Sequence, residues 1–209
     1  MLQSYFTGLL VCGSIIVAIG AQNAYVLGQA FRREHHWWSA LLCMGSDALL
    51  ITGGMLGITA ALVAFPSALD VLRWGGVAFL FWLSLLATRR AFRGRLALEA
   101  ESVARRSLGA VILTTLAVTL LNPQVYLDTL LLIPAVGAQQ PEPMVFVAGA
   151  VSASVIWFVL LAWGGAALAP VLSQPVAWRI IDGSIAAVML AIGLHLMVNG
   201  IVVPQGAEI

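Results

Sequence analysis

Apolar residues run along this chain in six long stretches, separated by short charged or proline-containing segments. An apolar helix of about 20 residues spans the hydrocarbon core of a bilayer. The pattern therefore predicts an all-α polytopic membrane protein with six transmembrane helices. The expected spans are Ser4–Ala30, Trp38–Val63, Leu69–Ala87, Leu108–Ile133, Met144–Leu168 and Ile180–Val203.

Polar residues interrupt the first and the fourth of these spans, at Gly20–Tyr25 and at Asn122–Asp128. Glycine weakens a helix, and Pro123 removes a backbone donor and disfavours helix at the residue before it. In hydrocarbon the freed backbone groups must be satisfied by protein, by water in a cavity or by a ligand. We therefore expect two broken helices that offer polar groups to a ligand, with a simple proline kink as the alternative for the second.

The two breaks stand at corresponding places, because each opens a group of three spans. Three is an odd number, so the two groups insert with opposite orientations, as in an inverted-topology repeat. The expected organisation is a first three-helix repeat at residues 1–88, a basic linker at 89–107 and a second three-helix repeat at 108–209.

Composition and charge agree with a membrane protein and give it an orientation. The chain is 61% hydrophobic and 9% charged, with a mean hydropathy of +1.01. Nine of its ten basic residues, all arginine, fall on one side of the expected spans, which the positive-inside rule makes cytoplasmic. Both termini then face outward. The linker carries six Arg and two Glu, so membrane lipid is an expected partner and nucleic acid is not.

Asp47 and Asp128 are the only carboxylates that these spans place well inside the membrane. A central aspartate costs about 2.5–3.5 kcal/mol on insertion scales, which calls for a compensating role. No arginine stands in the middle of a span, so the expected partner is a proton or a cationic ligand. The structural alternative is that each carboxyl group holds the broken helices together by hydrogen bonds.

Other polar and aromatic residues are expected to be structural. Asp182 follows Arg179 by one helical turn, which predicts a local surface pair. His195 is expected to be a packed histidine, with a proton relay as the alternative, and Trp157 is expected to fill space between helices, with lining a pathway as the alternative. We expect no disulfide, no cofactor and no metal site, since the spans lack His, Cys and carboxylates clustered at ligand spacing.

Three segments carry a family resemblance, Gly20–Leu27, Ser46–Ile51 and Leu121–Thr129. They are similar to the signature segments of the LysE/ArgO family of bacterial lysine and arginine exporters, and the resemblance covers essentially the whole chain. Asn-Pro followed by Tyr-Leu-Asp is the most discriminating match. Exporters of neutral amino acids in the wider superfamily typically carry Pro-Gly-Pro where this chain has Gly-Ala-Gln, which favours the basic branch.

The resemblance implies a secondary transporter that exports L-arginine, L-lysine or both across the bacterial inner membrane. Moving a cation outward costs about 2.3 kcal/mol per 100 mV, so coupling to proton entry is expected, with Asp47 and Asp128 as the proton-coupling residues. Side chains at the breaks and the two carboxylates form the expected substrate site. They are Gln22, Asn23, Asp47, Asn122, Tyr126 and Asp128.

Other functions remain open at this level. The chain could export another small amino acid or a metal cation, and physics alone does not fix export over uptake. An intramembrane aspartyl protease would need two aspartates that share a proton, and such enzymes typically carry Gly-x-Gly-Asp, whereas Asp47 follows Met-Gly-Ser. The sequence leaves open lysine against arginine, the coupling ion, and whether the protein is a homo-oligomer.

Overall fold

The computed structural model of the chain describes residues 1–17, 20–57, 66–92, 107–170 and 175–199, and all regular structure in these ranges is helical. The all-α prediction is confirmed for these residues. The helices are α1 (Leu2–Ile16), α2 (Ala21–Arg32), α3 (His36–Met55), α4 (Pro66–Phe92), α5 (Leu108–Leu120), α6 (Pro123–Tyr126), the π-helical segment π1 (Leu127–Leu132), α7 (Ile133–Gly137), α8 (Pro143–Leu168) and α9 (Pro175–Asn199).

Three of these helices, α3, α8 and α9, are long and apolar enough to cross a membrane. Two bent pairs raise the number of candidate spans in the described residues to five, namely α1 with α2, and α5 with the segment from α6 to α7. In the described part of α4 the apolar stretch is Trp74–Arg89, which is shorter than a full crossing. Length and composition therefore support three to five spans among the described residues.

The second predicted span, Trp38–Val63, extends further than its helix. Helix α3 ends at Met55, and the chain turns at Leu56 and Gly57. Gly57 has a φ of 96°, a left-handed conformation that glycine adopts without steric cost and that commonly ends helices. Residues 58–63 of this span, 200–203 of the sixth and 93–106 of the linker lie outside the described residues.

Helices α1 and α8 approach each other at two glycines. A Cβ on Gly8 would overlap the carbonyl oxygen of Phe146, and a Cβ on Gly149 would overlap the carbonyl oxygen of Tyr5. Without a hydrophobic drive between helices in lipid, close backbone packing of this kind supplies the attraction. At the end of α1, the carbonyl oxygen of Ile16 accepts from Asn23, whose side chain also accepts from Trp157 of α8. The two helices therefore run parallel.

Two other helix pairs complete the bundle. In α3 and α5 the side chains of Ser39 and Thr115 are 3.1 Å apart, and one turn later the sulfur of Cys43 lies 3.9 Å from the hydroxyl of Thr119, so these helices also run parallel. Helices α4 and α9 run antiparallel, because Ser84 donates to Ala186 while the earlier residue 81 packs against the later residue 193.

Helix α2 lies at the centre of this arrangement. Nine of its twelve residues are buried, and it contributes to two apolar clusters, one with α4, α5 and α9 and one with α3 and α8. A short helix with buried polar residues and neighbours on all sides is held by tertiary packing more than by its own propensity. The break before α2 therefore brings its polar start into the interior of the bundle.

Candidate functional site

The first break separates α1 from α2, whose axes differ by 79°. Gly20 is extended and precedes the first residue of α2, so the helix resumes inside the predicted interruption Gly20–Tyr25. The freed carbonyl oxygen of Ile16 accepts a hydrogen bond of 2.7 Å from Asn23 Nδ2. The side chain of Asn23 thus satisfies a backbone group that a continuous helix would have paired.

The second break separates α5 from α6 and turns the chain by 62°. The Asn122 Oδ1 atom accepts from the backbone N–H of Gln124 at 3.2 Å, and Pro123 occupies the first helical position, where its missing donor costs nothing. The Tyr126 hydroxyl donates to the free carbonyl oxygen of Leu120 at 2.7 Å. The predicted break at Pro123 is confirmed as a full interruption and not a simple kink.

The two breaks meet around one small polar cavity of about 50 Å³. Its walls come from the end of α1, the start of α2, the second break and π1. The lining residues are Ile15, Ile16, Gly20, Gln22, Asn23, Asn122, Gln124, Val125 and Asp128. The structure therefore brings together four of the six predicted site residues, while Asp47 lies behind the cavity wall and Tyr126 lies outside it.

Asp47 is buried between α2, α3 and α8, with only 2% of its surface exposed. One of its carboxylate oxygens accepts a 2.7 Å hydrogen bond from the Ser154 hydroxyl. The Gln22 amide lies beside the same carboxyl group, and Asp128 is close enough to interact with it electrostatically. Both intramembrane carboxylates consequently belong to one polar region centred on the breaks.

This region holds two carboxyl groups, whose charge must be balanced when they are ionised. Among the described residues, no arginine lies within ion-pair distance of Asp47 or Asp128. Buried carboxylates need a counter-charge or a proton, so the region is suited to bind a cation.

A larger apolar cavity, of about 550 Å³, lies between α2, α8 and α9. Asn23 and Trp157 form one part of its wall, and the Trp157 indole donates to Asn23 Oδ1 at 3.2 Å. From the sequence, packing between helices was the favoured role for Trp157, and a place along a pathway was the alternative. The ring borders a cavity and is bound to a residue of the break, which favours the alternative.

The predicted surface pair of Asp182 with Arg179 is wrong. The Asp182 side chain is 1% exposed, and both of its oxygens lie 3.0 Å from Nη2 of Arg32, at the end of α2. Spacing along one helix favoured the local partner, but the packing of α9 against α2 turns this carboxylate inward. The sequence carried no signal for a pair between residues 150 positions apart.

Two contributors were missed from sequence, namely Ser154 and Arg32. Ser154 stands in a long apolar run, where a hydroxyl can satisfy itself on its own helix and so gives no sign of its role. Arg32 was used only to predict the orientation of the chain in the membrane.

In the described part of the chain, no group of three or more His, Cys, Asp or Glu residues could hold a metal ion, so the metal-cation alternative gains no support.

Comparison with known proteins adds a family match and close relatives. A family model described as LysE type translocator matches residues 13–200. The chain is 42% identical over 204 residues to the arginine exporter protein ArgO of Klebsiella pneumoniae (strain 342), with 96% of each chain covered. It is 41% identical over 202 residues to ArgO of Serratia proteamaculans (strain 568), covering 96% of this chain and 98% of that one. No solved structure matches the chain.

Proposed function

Because the chain belongs to the LysE family of translocators, we propose that it exports basic amino acids, L-arginine foremost, across the bacterial cytoplasmic membrane. Relatives about 42% identical over nearly the whole chain are named arginine exporters. The observation in this chain that carries the proposal is the meeting of two helix breaks beside two carboxylates that have no arginine within ion-pair distance among the described residues. Such a region suits a substrate that brings its own positive charge.

The substrate's two ends have different requirements at this site. The start of α2, where the backbone N–H groups and the helix dipole favour negative charge, suits the α-carboxylate, and Gln22, Asn23 and Asn122 can hydrogen-bond around it. The side-chain cation then faces Asp128 and, through the wall, Asp47. In this proposal Tyr126 supports the second break and meets the substrate only when the break moves.

The cavity at the breaks is too small for an amino acid in the described conformation. A volume of about 50 Å³ holds about three water molecules. Binding therefore requires the half-helices on the two sides of the cavity to separate, which is the motion expected of broken helices in alternating access. Because the substrate would contact both breaks, its binding would be coupled to that motion.

The proposed architecture is an inverted repeat of six spans, divided at 1–88, 89–107 and 108–209. In an inverted repeat, span one corresponds to span four, span two to span five and span three to span six. The contact between spans one and five must then correspond to the contact between spans four and two. Both pairs, α1 with α8 and α5 with α3, pack in parallel. Spans three and six, which are α4 and α9, correspond to each other in the repeat. They must therefore pack antiparallel, as they do.

Contacts at one end of the bundle support the proposed topology. Arg33 donates to the carbonyl oxygen of Ala166 at 2.8 Å, and Arg32 pairs with Asp182. The end of span one, the end of span five and the start of span six therefore lie on the same side. Six alternating spans with external termini put these three ends in the cytoplasm together with the arginine-rich linker.

We further propose that protons drive export. The positive charge of lysine or arginine moves outward against an inside-negative potential, and exchange for one proton cancels that charge movement. A carboxyl group removed from water favours its protonated form, so Asp47 or Asp128 can hold a proton when the substrate is absent. A proton and the basic amino acid would then bind in turn to the same carboxyl groups.

The test is efflux from proteoliposomes preloaded with labelled arginine, lysine or leucine under imposed pH and voltage gradients. We expect arginine efflux driven by an inward proton gradient. Leucine efflux should be no faster than from preloaded vesicles that lack the protein. Efflux of leucine at the rate of arginine would contradict a site built for cations. Arginine efflux that ignores the pH gradient would remove the proton from the mechanism and leave the substrate assignment standing.

A further inference from the structure

The apolar cavity between α2, α8 and α9 has no role in the binding of the substrate at the breaks. Of the thirteen residues that line it, only Asn23 and Ser184 have a purely polar side chain, and the Trp157 indole N–H is bonded to Asn23. Burying a charged group among apolar side chains is costly. A cavity of about 550 Å³ with this lining therefore suits a hydrocarbon chain and not a charged amino acid.

The cavity lies along α8 and covers about half of a membrane crossing. Trp157 of α8 lies beside Asn23 of α2, and eight residues later Gly165 lies against Ala30, the neighbour of the lining residue Phe31. Eight residues of helix rise about 12 Å, and one leaflet of the hydrocarbon core is about 15 Å deep. The cavity thus has the depth of a single lipid leaflet.

The outer wall of the cavity is open to the surroundings of the bundle. Val17, Ile180 and Ser184 line the cavity and are exposed, and Ile180 has 64% of its surface exposed. Exposed apolar surface of a membrane-spanning helix contacts lipid tails, which are as apolar as the side chains themselves. An acyl chain can therefore enter this cavity sideways from the bilayer.

Two exposed arginines flank one end of the cavity without lining it. Arg33 follows the lining residue Phe31 by two positions, and Arg179 directly precedes the lining residue Ile180. The ion pair between α2 and α9 joins the end of the first helix to the start of the second, so both arginines lie at the same end of the bundle. Cations just beyond the end of an apolar cavity are placed for the headgroup of a lipid whose chain lies inside.

The surroundings of these arginines fit the headgroup level of a membrane. Arg33 uses two of its five N–H donors on the carbonyl oxygen of Ala166, and the others can meet a phosphate. Glu34 offsets one of the two positive charges and leaves the pair with a net positive charge. Trp37 and Trp38, which are 48% and 50% exposed, follow within a few residues, and tryptophan is enriched at this level of a bilayer.

We propose that this cavity binds one acyl chain of an anionic phospholipid, whose phosphate is held by Arg33 and Arg179. The chain would extend from the headgroup level to Trp157, which is bonded to Asn23 of the first break. Bound lipid would fill the space between α2, α8 and α9 and stabilise the packing around the break. In the topology proposed above, the lipid comes from the cytoplasmic leaflet. The site does not depend on which substrate is transported.

Binding is tested through the Tm of delipidated protein in detergent. The protein is titrated with phosphatidylglycerol, with phosphatidylcholine of the same acyl chains, or with inorganic phosphate. Phosphatidylglycerol should reach half of its Tm increase at a concentration about tenfold lower than phosphatidylcholine, because ligand that binds the native state stabilises it and the two arginines attract the anion. Inorganic phosphate, which has no acyl chain, should leave the Tm unchanged.

Charge variants test the headgroup contact. R33Q/R179Q should lose the tenfold preference for phosphatidylglycerol, and R33K/R179K should keep most of it. R89Q/R93Q, which removes two other arginines, is the matched control and should behave as wild type. Each variant is compared with itself in the presence and absence of lipid, so a change in its basal stability does not alter the comparison.

A variant of the cavity mouth tests the acyl-chain contact. Ser184→Phe places a ring at an exposed position of the lining and should raise the concentration of either lipid needed for half of the Tm increase about tenfold. Ala187→Phe, at an exposed position of α9 that does not line the cavity, is the matched control. Where Ser184→Phe does not accumulate, Ser184→Leu takes its place.

Three results would overturn the lipid site. The first is an unchanged preference for phosphatidylglycerol in R33Q/R179Q, and the second is an equal lipid response of Ser184→Phe and Ala187→Phe. The third is a dimer of the wild-type protein in detergent that Ser184→Phe converts to a monomer, measured by light scattering, because the cavity would then be covered by a second copy. None of these measurements requires transport, so they are independent of the proposed export function.

Discussion

At the scale of single residues, the two intramembrane aspartates are placed for different tasks. Asp47 is enclosed and accepts from Ser154, whereas Asp128 is part-exposed and lines the polar cavity. A carboxylate at a cavity wall can exchange its partner readily, and an enclosed one must wait for the surrounding helices to move. The two carboxyl groups are close enough to interact electrostatically, so a change of charge at one changes the electrostatic energy of the other.

We expect an asparagine substitution at the coupling carboxylate to abolish efflux driven by an imposed pH gradient. Asparagine keeps the size of the side chain and removes both its charge and its titration. The measurement is the initial rate in proteoliposomes containing Asp47→Asn or Asp128→Asn, with a loss of about tenfold or more at the coupling position. If both variants keep the wild-type pH-driven rate, the coupling site lies elsewhere.

Asn122→Ala should lower transport more than it lowers the amount of folded protein in the membrane. The substitution removes a helix cap, with a stability cost of about 0.5–2 kcal/mol, and also removes an amide from the cavity wall. Asn122→Asp retains the capping oxygen and is the matched control for stability. Efflux and abundance must be measured on the same preparation. A proportional fall of both would make Asn122 a structural residue alone.

At the scale of elements, the sequence predicted the positions of the breaks but not their partners. Pro123 and the Gly20–Tyr25 segment act locally, through missing donors and weak helix propensity, so their effect is visible in the sequence. The burial of Asp182 and the cavity beside Trp157 depend on which face of α9 or α8 meets α2. In a helix that is apolar on nearly every face, periodicity does not distinguish the lipid-facing side from the packed one.

The close contact between α1 and α8 gives a prediction at this scale. Gly149→Val should lower the yield and Tm of protein extracted from the membrane, because the new side chain would overlap the backbone of α1. Overpacking of this kind costs about 1–3 kcal/mol. Gly164→Val, in the same helix but with no atom within 4 Å of a built Cβ, is the control. Equal behaviour of the two variants would show that the helices do not approach as described.

At the scale of the whole molecule, the six-span architecture can be tested by topology. We expect reporters placed at residues 89–107 to be cytoplasmic, and reporters at either terminus or between α7 and α8 to be external. The physical reason is the distribution of arginine, nine of ten on one side. A cytoplasmic N-terminus with five crossings would contradict both the topology and the inverted repeat.

The parallel packing of α1 on α8 has a consequence for synthesis. Tyr5 and Ser152, whose hydroxyls are hydrogen-bonded in the finished protein, are 147 residues apart. At about 5–20 residues per second, the ribosome needs roughly 7–30 s to make the partner after α1 has emerged. During that interval the glycine face of α1 must be covered by lipid or by the insertion machinery. Assembly of this transporter is therefore expected to finish only after its fifth span enters the membrane.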